Sequence, residues 1–268
     1  MGYKILAINP GSTSTKIAVF EGHKQIFTHT LRHTSEEISL FEKISDQYQF
    51  RKEAILKTLE DNNIHIGDLS AIVGRGGLLR PIKSGVYEVN SKMIEDLRVG
   101  ISGEHASNLG GLIAANIAES APGCKAYIAD PVVVDELEPV ARISGHPLLP
   151  RVSIFHALNQ KAIAKMYAGS ESKRYEDLNL IVAHLGGGVS VGVHKNGRVI
   201  DVNNALNGEG PFSPERSGTL PVLALAELCF SGKFTLQQIK KMIAGEGGIV
   251  AHLGTNSFNE VEKRVSEG

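Results

Sequence analysis

Apolar and polar residues alternate along three short segments near the start of the chain and along three more in its second half. This alternation predicts strands at 3–8, 15–20 and 24–31, and again within 180–203. A glycine-containing turn joins the first two strands of each set, and without a gap Gly11 falls on Gly186 and Gly22 on Gly197. Two matching glycines alone would also fit ordinary hairpin convergence. The matched order of three strands favours a duplicated unit and therefore two similar lobes.

The stretches between these strands have apolar residues at helical spacing. They predict helices at 40–62, 91–99, 105–120, 156–167, 219–230 and 235–244, with further strands at 69–73 and 126–129. Prolines at 147 and 150 place a boundary that divides an N-terminal domain, 1–150, from a second domain, 151–268. The fold class is therefore α/β. The first lobe has two further predicted strands after its helix. The second lobe has no counterpart of these two strands, so we expect it to be incomplete.

Composition excludes several classes of function. The chain of 268 residues has 28 basic and 29 acidic side chains, so it has no basic excess to neutralise a nucleic acid. Its two cysteines form no CxxC pair, which argues against a disulfide framework or a zinc site. No apolar run reaches membrane-spanning length. We expect a cytoplasmic protein that binds neither nucleic acid nor membrane.

The first turn carries a set of groups able to hold an anion. Backbone amides, hydroxyls and an ammonium group surround it, supplied by Asn9, Gly11, Ser12, Ser14 and Lys16. The Walker A spacing is absent, and the turn leads into a strand rather than a helix. An ordinary hairpin turn is the alternative.

The second turn is built from Gly186, Gly187 and Gly188, directly after His184 at a strand end. Three adjacent glycines lose much chain entropy on ordering, so a close approach to the backbone is expected to compensate. Packing of strand against helix is the alternative for the glycines, and a place in the core is the alternative for His184.

Four further residues carry candidate chemistry. Arg75 lies between glycines just past an apolar strand, and Arg216 precedes a predicted helix. Their planar guanidinium groups suit carboxylate or phosphate, although a solvated surface position is the alternative. Asp130 follows a strand, where a carboxylate can hold magnesium or can cap the next segment. His105 lies near a helix start and by itself is weak support.

Seven motifs together cover essentially the whole chain in a fixed order. They are Asn9–Lys16, Gly74–Gly77, Gly103–Ala106, Asp130–Glu136, Phe155–Gln160, His184–Gly188 and Glu215–Gly218. This set resembles the acetate and butyrate kinase family, and most closely its butyrate and branched-chain carboxylate kinase branch. The resemblance implies two duplicated RNase H-like, actin-like ATPase lobes around a cleft. It also implies ATP and Mg²⁺ as cofactors, a short-chain carboxylate as substrate, an acyl phosphate as product, and a homodimer or larger homo-oligomer.

The family's roles transfer to matching positions of this chain. Asn9, Ser12, Ser14 and Lys16 match the first phosphate loop, and His184 opens the second. Arg75 and Arg216 match the arginine pair that handles the carboxylate and the transferred phosphoryl group. His105 resembles a substrate-pocket histidine, and Asp130 resembles the acidic residue associated with magnesium.

Two positions depart from the acetate kinase pattern and favour the butyrate kinase branch. Acetate kinases have two histidines in the stretch around 156, where this chain has His156 and Gln160, and they have Asn where it has Gly187. Family members are also longer, so we expect the adenosine-binding motif to lie beyond this chain.

Two alternatives stay open at this point. A sugar kinase of the same superfold would need a carboxylate base, and Asp130 could serve as one. A non-catalytic fragment is the other alternative, because the adenosine site is expected to be missing.

Overall fold

The computed structural model describes residues 2–268. The chain forms two compact units, Met1–Val134 and Asp135–Gly268. This division comes before the boundary predicted at 150, because the segment after Val134 is tied to the second unit. The Glu136 carboxylate lies 2.8 Å from the buried Lys161 ammonium and accepts a hydrogen bond from the Val199 amide.

The first unit contains six strands and four helices among the described residues. They are β1 (Lys4–Pro10), β2 (Ser14–Glu21), β3 (Lys24–Arg32), α1 (Ser35–Ser39), α2 (Tyr48–Asp61), β4 (Ala71–Arg75), β5 (Val86–Glu88), α3 (Ser91–Val99), α4 (Asn108–Ala118) and β6 (Lys125–Ala129). The strands form one sheet in the order β3-β2-β1-β4-β6-β5. β1 and β2 pair antiparallel, whereas β1, β4 and β6 run parallel to one another.

The core of this unit follows from the alternation in the strands and the helical spacing in α2 and α4. Leu6 and Ile8 of β1 are buried, as are Ile17 and Val19 of β2. They pack with the apolar residues Ile55, Leu59, Leu109, Ile113 and Ile117 of the two helices. Burying a Leu or Ile side chain contributes roughly 1.5–3 kcal/mol, so this face fixes the sheet against the helices.

The second unit contains α5 (Ala157–Ser170), β7 (Asn179–Leu185), β8 (Val189–Lys195), β9 (Arg198–Val202), α6 (Val222–Phe230), α7 (Leu236–Ile243), α8 (Ile249–Leu253) and α9 (Phe258–Glu267). Within the described residues, β7, β8 and β9 form an antiparallel three-stranded sheet. Ala164, Ala168 and Tyr175 form a buried cluster on which Leu178, Leu180 and Val182 pack.

The predicted repeat is present in both units. β1 ends at Pro10 and β2 begins at Ser14, while β7 ends at Leu185 and β8 begins at Val189. Each turn therefore contains three residues, 11–13 in the first unit and 186–188 in the second. We call these segments the first tip and the second tip. A third strand pairs antiparallel with the second in both units, as the sequence predicts.

Most predicted elements are confirmed, and a capping box formed by Thr235 and Gln238 begins α7. The helix predicted at 40–62 is wrong at its start, because a 3-10 turn at Ile44–Gln47 precedes α2 and residues 40–43 are not helical. The short elements α1, β5 and α8 were not predicted. Across residues 2–268, no helix is long and apolar enough to span a membrane.

Candidate functional site

Three of the predicted residues or turns lie at one edge of the first sheet. The first tip follows β1, Arg75 ends β4 and Asp130 follows β6 directly. Because these strands are parallel neighbours, with Ile8 opposite Gly74 and Arg75 opposite Ala129, their carboxyl ends meet. Such an edge is where open α/β sheets bind ligands.

Arg75 contacts the first loop directly. Its Nη1 donates to the Asn9 Oδ1 at 3.3 Å, and Asn9 is the cross-strand partner of the exposed Lys16. Burial lowers the pKa of the Arg75 guanidinium, which remains a cation at neutral pH. Two cations, Arg75 and Lys16, therefore flank Asn9 at the end of β1.

The glycines around Arg75 are required by close backbone contacts. A Cβ on Gly74 would lie 2.1 Å from the carbonyl oxygen of Gly110, and one on Gly77 would lie 2.5 Å from the Asn108 Oδ1. Helix α4 therefore packs against this loop at backbone distance. The structure therefore holds Arg75, the last residue of β4, in a closely packed frame.

His105 lies in the turn that leads into α4. Its Nδ1 accepts the Ser107 amide at 3.1 Å, so a neutral ring has its proton on Nε2. Asn108 joins this turn to the arginine loop, because it accepts from the Leu78 amide and donates to the Gly103 carbonyl. The structure thus connects the loops of His105 and Arg75 through Asn108.

Asp130 has a constrained backbone and an oriented carboxylate. Its φ is 36°, in the left-handed region that is uncommon for residues other than glycine. The Oδ1 accepts from the Ser84 hydroxyl at 2.6 Å and from the Gly85 amide at 2.8 Å. Among residues 2–268, no group of three or more His, Cys, Asp and Glu side chains is arranged to hold a metal ion.

Arg51 of α2 supports the first tip from inside the protein, and sequence analysis missed it. Its side chain is 1% exposed and donates to the carbonyl oxygens of Gly11, Ser12 and Ser14 at 2.7–3.1 Å. It also donates to Thr15 Oγ1 and Gln47 Oε1. Burial lowers its pKa to about 10, so it is charged at neutral pH. An Arg at helical spacing among apolar residues was the one available signal.

The second tip lies against Arg216. A Cβ on Gly188 would lie 2.0 Å from the Arg216 Nη1 and 2.6 Å from its Cζ, so the guanidinium occupies the space that any other residue would fill. Nη1 also donates to the Ala205 carbonyl. Ser213 donates to the Gly187 carbonyl at 2.7 Å and fixes the tip's middle residue. The three glycines are therefore explained in part by close approach of an arginine.

His184 is the last residue but one of β7, beside the second tip, and the ring of His156 stacks on it. The ring centroids are 3.7 Å apart and the planes differ by 7°. The Asn159 Nδ2 lies 2.8 Å from the His184 Nδ1, and a Cβ on Gly186 would lie 3.1 Å from the His184 Nε2. His184 is therefore part of a built site and not a core histidine. Sequence analysis gave His156 little weight, because the stacking depends on tertiary structure.

Comparisons with known proteins agree with this arrangement. Residues 149–268 match the model of the acetokinase family. Over all 268 residues the chain is 62% identical to butyrate kinase 2 of Clostridium acetobutylicum, of which it covers 75%. It is 59% identical to butyrate kinase 1 of the same organism over 266 residues, again covering 75% of that protein.

Solved structures share the fold. Acetate kinase of Porphyromonas gingivalis matches with a TM-score of 0.76 at 19% identity, over 99% of this chain and 74% of that one. A propionate kinase of Francisella tularensis matches with a TM-score of 0.73 at 17% identity, over 99% and 74% of the two chains. These likenesses confirm the expected α/β fold of actin-like ATPase type. The identity to two butyrate kinases shows that the chain belongs to the acetokinase family.

Proposed function

We propose that the protein transfers the γ-phosphoryl group of ATP to a short-chain carboxylate, butyrate or a branched-chain acid, in a reversible reaction. A carboxylate oxygen attacks the γ-phosphorus, a new O–P bond forms, and the bond to the ADP oxygen breaks. The products are an acyl phosphate and ADP. The observation that carries the proposal is the pair of three-residue tips, each with an arginine in contact with its own hairpin.

In the first unit, Arg75 is assigned to the carboxylate substrate and the first tip to the nucleotide phosphates. Both reactants are anions, so cations must offset their repulsion, and Arg75 and Lys16 supply two. Arg51 donates hydrogen bonds to three carbonyl oxygens in and next to the first tip. Without these bonds, the oxygens would repel a phosphate. Ser12, Ser14 and Asn9 add polar groups. His105 is assigned to the substrate pocket on the family resemblance.

In the second unit, Gly186–Gly188, His184 and Arg216 are assigned to the transferred phosphoryl group. Phosphoryl transfer depends chiefly on positioning and on stabilising charge at the equatorial oxygens. Arg216 is half-buried against Gly188, so its guanidinium is both held in place and partly accessible. A neutral His184 that accepts from Asn159 at Nδ1 has its proton on Nε2, which is the nitrogen near Gly186.

Magnesium fits this assignment through Asp130. Mg²⁺ in kinases is commonly bound by one or two carboxylates together with phosphate oxygens, so one oriented carboxylate is sufficient protein ligation. Ser84 and Gly85 hold the Asp130 carboxylate by its Oδ1. When bound, the ion would neutralise charge on the nucleotide phosphates.

A carboxylate kinase fits the residues better than a sugar kinase does. A carboxylate is already ionised at neutral pH, so the reaction needs no general base. A sugar hydroxyl would need one, and the Oδ1 of the candidate, Asp130, already accepts hydrogen bonds from Ser84 and Gly85.

The remaining expectations complete the proposal. A cytoplasmic location is supported by the two cysteines, Cys124 and Cys229, which are free thiols. A homodimer or larger homo-oligomer stays a prediction of the family resemblance.

The deciding experiment is hydroxamate trapping with ATP and Mg²⁺ across acetate, propionate, butyrate and isobutyrate. Hydroxylamine converts an acyl phosphate to a hydroxamate, which forms a coloured complex with ferric ion, and reactions without ATP serve as the control. We expect butyrate and isobutyrate to exceed acetate. One methylene contributes about 1–3 kcal/mol of discrimination, so each methylene between acetate and butyrate is expected to change the preference roughly 10- to 200-fold.

Phosphorylation of glucose without hydroxamate would establish the sugar kinase instead. No product and no shift of the melting temperature by ATP or butyrate would establish a non-catalytic fragment.

A further inference from the structure

A hydrogen-bonded row of side chains lies behind His156, in the interior of the second unit. The His156 Nδ1 lies 2.8 Å from the Ser190 Oγ, and Ser190 is fully buried. Ser190 is on β8 as the cross-strand partner of His184. The pairing of β7 with β8 therefore places His184 beside Ser190, the residue that supports the stacked His156 ring.

Gln160 of α5 orients Ser190. Its Nε2 lies 3.0 Å from the Ser190 carbonyl oxygen and 2.8 Å from the Ser190 Oγ. A carbonyl oxygen only accepts, so the amide nitrogen of Gln160 must be on this side. A Cβ on Gly192 would lie 2.4 Å from the Gln160 Oε1, so this glycine leaves room for the amide.

The other end of the Gln160 amide is equally determined. Its Oε1 accepts from the His194 Nε2 at 3.0 Å, and the His194 Nδ1 then accepts from the Tyr175 hydroxyl at 2.6 Å. This pattern requires a neutral His194. Burial, followed by the charge of Lys161, lowers the His194 pKa to about 4, which agrees with the neutral form.

These bonds leave one arrangement for the Ser190 hydroxyl. Its oxygen accepts from the Gln160 Nε2 at 2.8 Å and from the His156 amide at 3.5 Å, which uses both lone pairs and leaves the single hydrogen to donate. The His156 Nδ1 lies at donor distance, so that hydrogen points to it. His156 then has its own proton on Nε2.

We infer that Gln160 and Ser190 are positioning residues that hold His156 as its Nε2–H tautomer and, through the stacked ring, fix the plane of His184 beside the second tip. For its effect on turnover, the inference rests on the proposed role of His184. Gln160 lies at the position where acetate kinases have a second histidine. Its two hydrogen bonds to Ser190 give a physical reason for that replacement. An amide donates two hydrogens on one side, which a neutral imidazole cannot do.

The first measurement needs no substitution. Long-range ¹H–¹⁵N spectra of the ¹⁵N-labelled 268-residue chain, without substrates, distinguish a protonated from an unprotonated imidazole nitrogen. A His156→Asn variant identifies the His156 signals by their loss. We expect His156 to be neutral with Nε2 protonated, and a ring with Nδ1 protonated would overturn the inference.

Two variants then separate positioning from packing. Ser190→Ala and Tyr175→Phe each remove one buried hydroxyl that is hydrogen-bonded to a histidine Nδ1. Ser190→Ala is expected to change the His156 tautomer population and to lower kcat roughly 10- to 100-fold, with KM for the carboxylate nearly unchanged. Tyr175→Phe is expected to change only the His194 signals, because the Ser190 carbonyl still orients Gln160.

Equal effects of the two variants on kcat, or an unchanged His156 tautomer in Ser190→Ala, would refute the role. If Ser190→Ala does not fold, the unsubstituted spectrum still decides the tautomer. Since the spectra contain no nucleotide, a correct tautomer with no hydroxamate product would retain the hydrogen-bonded row and reject the proposed function. A hydroxamate product together with the wrong His156 tautomer would reject the hydrogen-bonded row and retain the proposed function.

Discussion

The two tips have the same length, and each joins the first two strands of its own hairpin, but different arginines support them. Arg51 lies behind the first tip, almost fully buried, with its donors directed at protein oxygens. Arg216 lies against the glycines of the second tip and is half-buried. An arginine whose donors all serve the protein in the interior is structural, whereas one that keeps an accessible face can serve a ligand. Burial therefore separates the role of Arg51 from that of Arg216.

The same comparison extends to two buried histidines. His33 contacts Thr15 next to the first tip, and its pKa is lowered by burial and then by the charge of Arg51. His194 has a pKa lowered by burial and then by the charge of Lys161. Each unit thus keeps a neutral histidine beside a buried cation. The rings act as hydrogen-bonding spacers and not as charges.

The largest expected effect is on the second tip. We expect Arg216→Ala to lower kcat about 10²- to 10³-fold, because one charge-stabilising donor is lost, with little change in KM for butyrate. Arg75→Ala is expected to raise KM for butyrate most. Steady-state kinetics by hydroxamate formation measures both, and small, equal effects of the two substitutions would contradict the assignment.

The next effect is on the stability of the first unit. Arg51→Met removes the donor to the Gly11 and Ser12 carbonyl oxygens and to the buried Gln47 Oε1. Each such group costs about 1–3 kcal/mol, so we expect the free energy of unfolding to fall by more than about 3 kcal/mol. Urea denaturation measures it. Lys57→Met, at an exposed position of the same helix, is the control and is expected to change it by less than about 0.5 kcal/mol. Similar midpoints for the two variants would disprove the role of Arg51.

A smaller effect is expected from one methyl group on the second tip. Gly188→Ala places a Cβ 2.0 Å from the Arg216 Nη1 and must displace the guanidinium, whereas Gly187→Ala meets its nearest atom, the Glu215 Oε2, only at 3.8 Å. Misplacement by about 1 Å can cost up to about 10²-fold in rate, so Gly188→Ala is expected to lose at least about tenfold more turnover than Gly187→Ala. Equal turnover would indicate that Arg216 has another position in the active protein.

The smallest effect is on pH dependence. The pKa of His194 is about 4 in the folded chain, compared with 6.5 for an unperturbed histidine. The unfolded chain therefore binds the proton first, and stability is complete above pH 6.5 and falls as the pH drops towards 4. The slope from this group is at most about 1.4 kcal/mol per pH unit. Urea midpoints between pH 7.5 and 4.5 measure it, with His194→Gln expected to flatten the slope. An unchanged slope would assign the loss to other groups, His33 among them.

The sequence predicts the fold well where one residue's surroundings follow from its neighbours in the chain. The alternation in β1 and β2 and the Gly11–Gly186 match predict both hairpins, since register and turn length are local properties. The partners of the site are not local. Arg51 is 40 residues from Gly11, and His156 is separated from its stacked ring by a helix and a loop. Periodicity marks a buried face but does not say which polar residue of that face reaches a distant loop.

We propose that the first tip, in its own unit, binds phosphate oxygens of the nucleotide and that the second tip binds the transferred phosphoryl group. Backbone amide spectra of the ¹⁵N-labelled chain, recorded during titration with ATP and Mg²⁺, test both assignments directly. We expect the amides of Gly11, Ser12 and Ser14 and those of Gly186–Gly188 to shift together with one saturation constant. Shifts in one tip only, or in neither while ATP binds elsewhere, would contradict them.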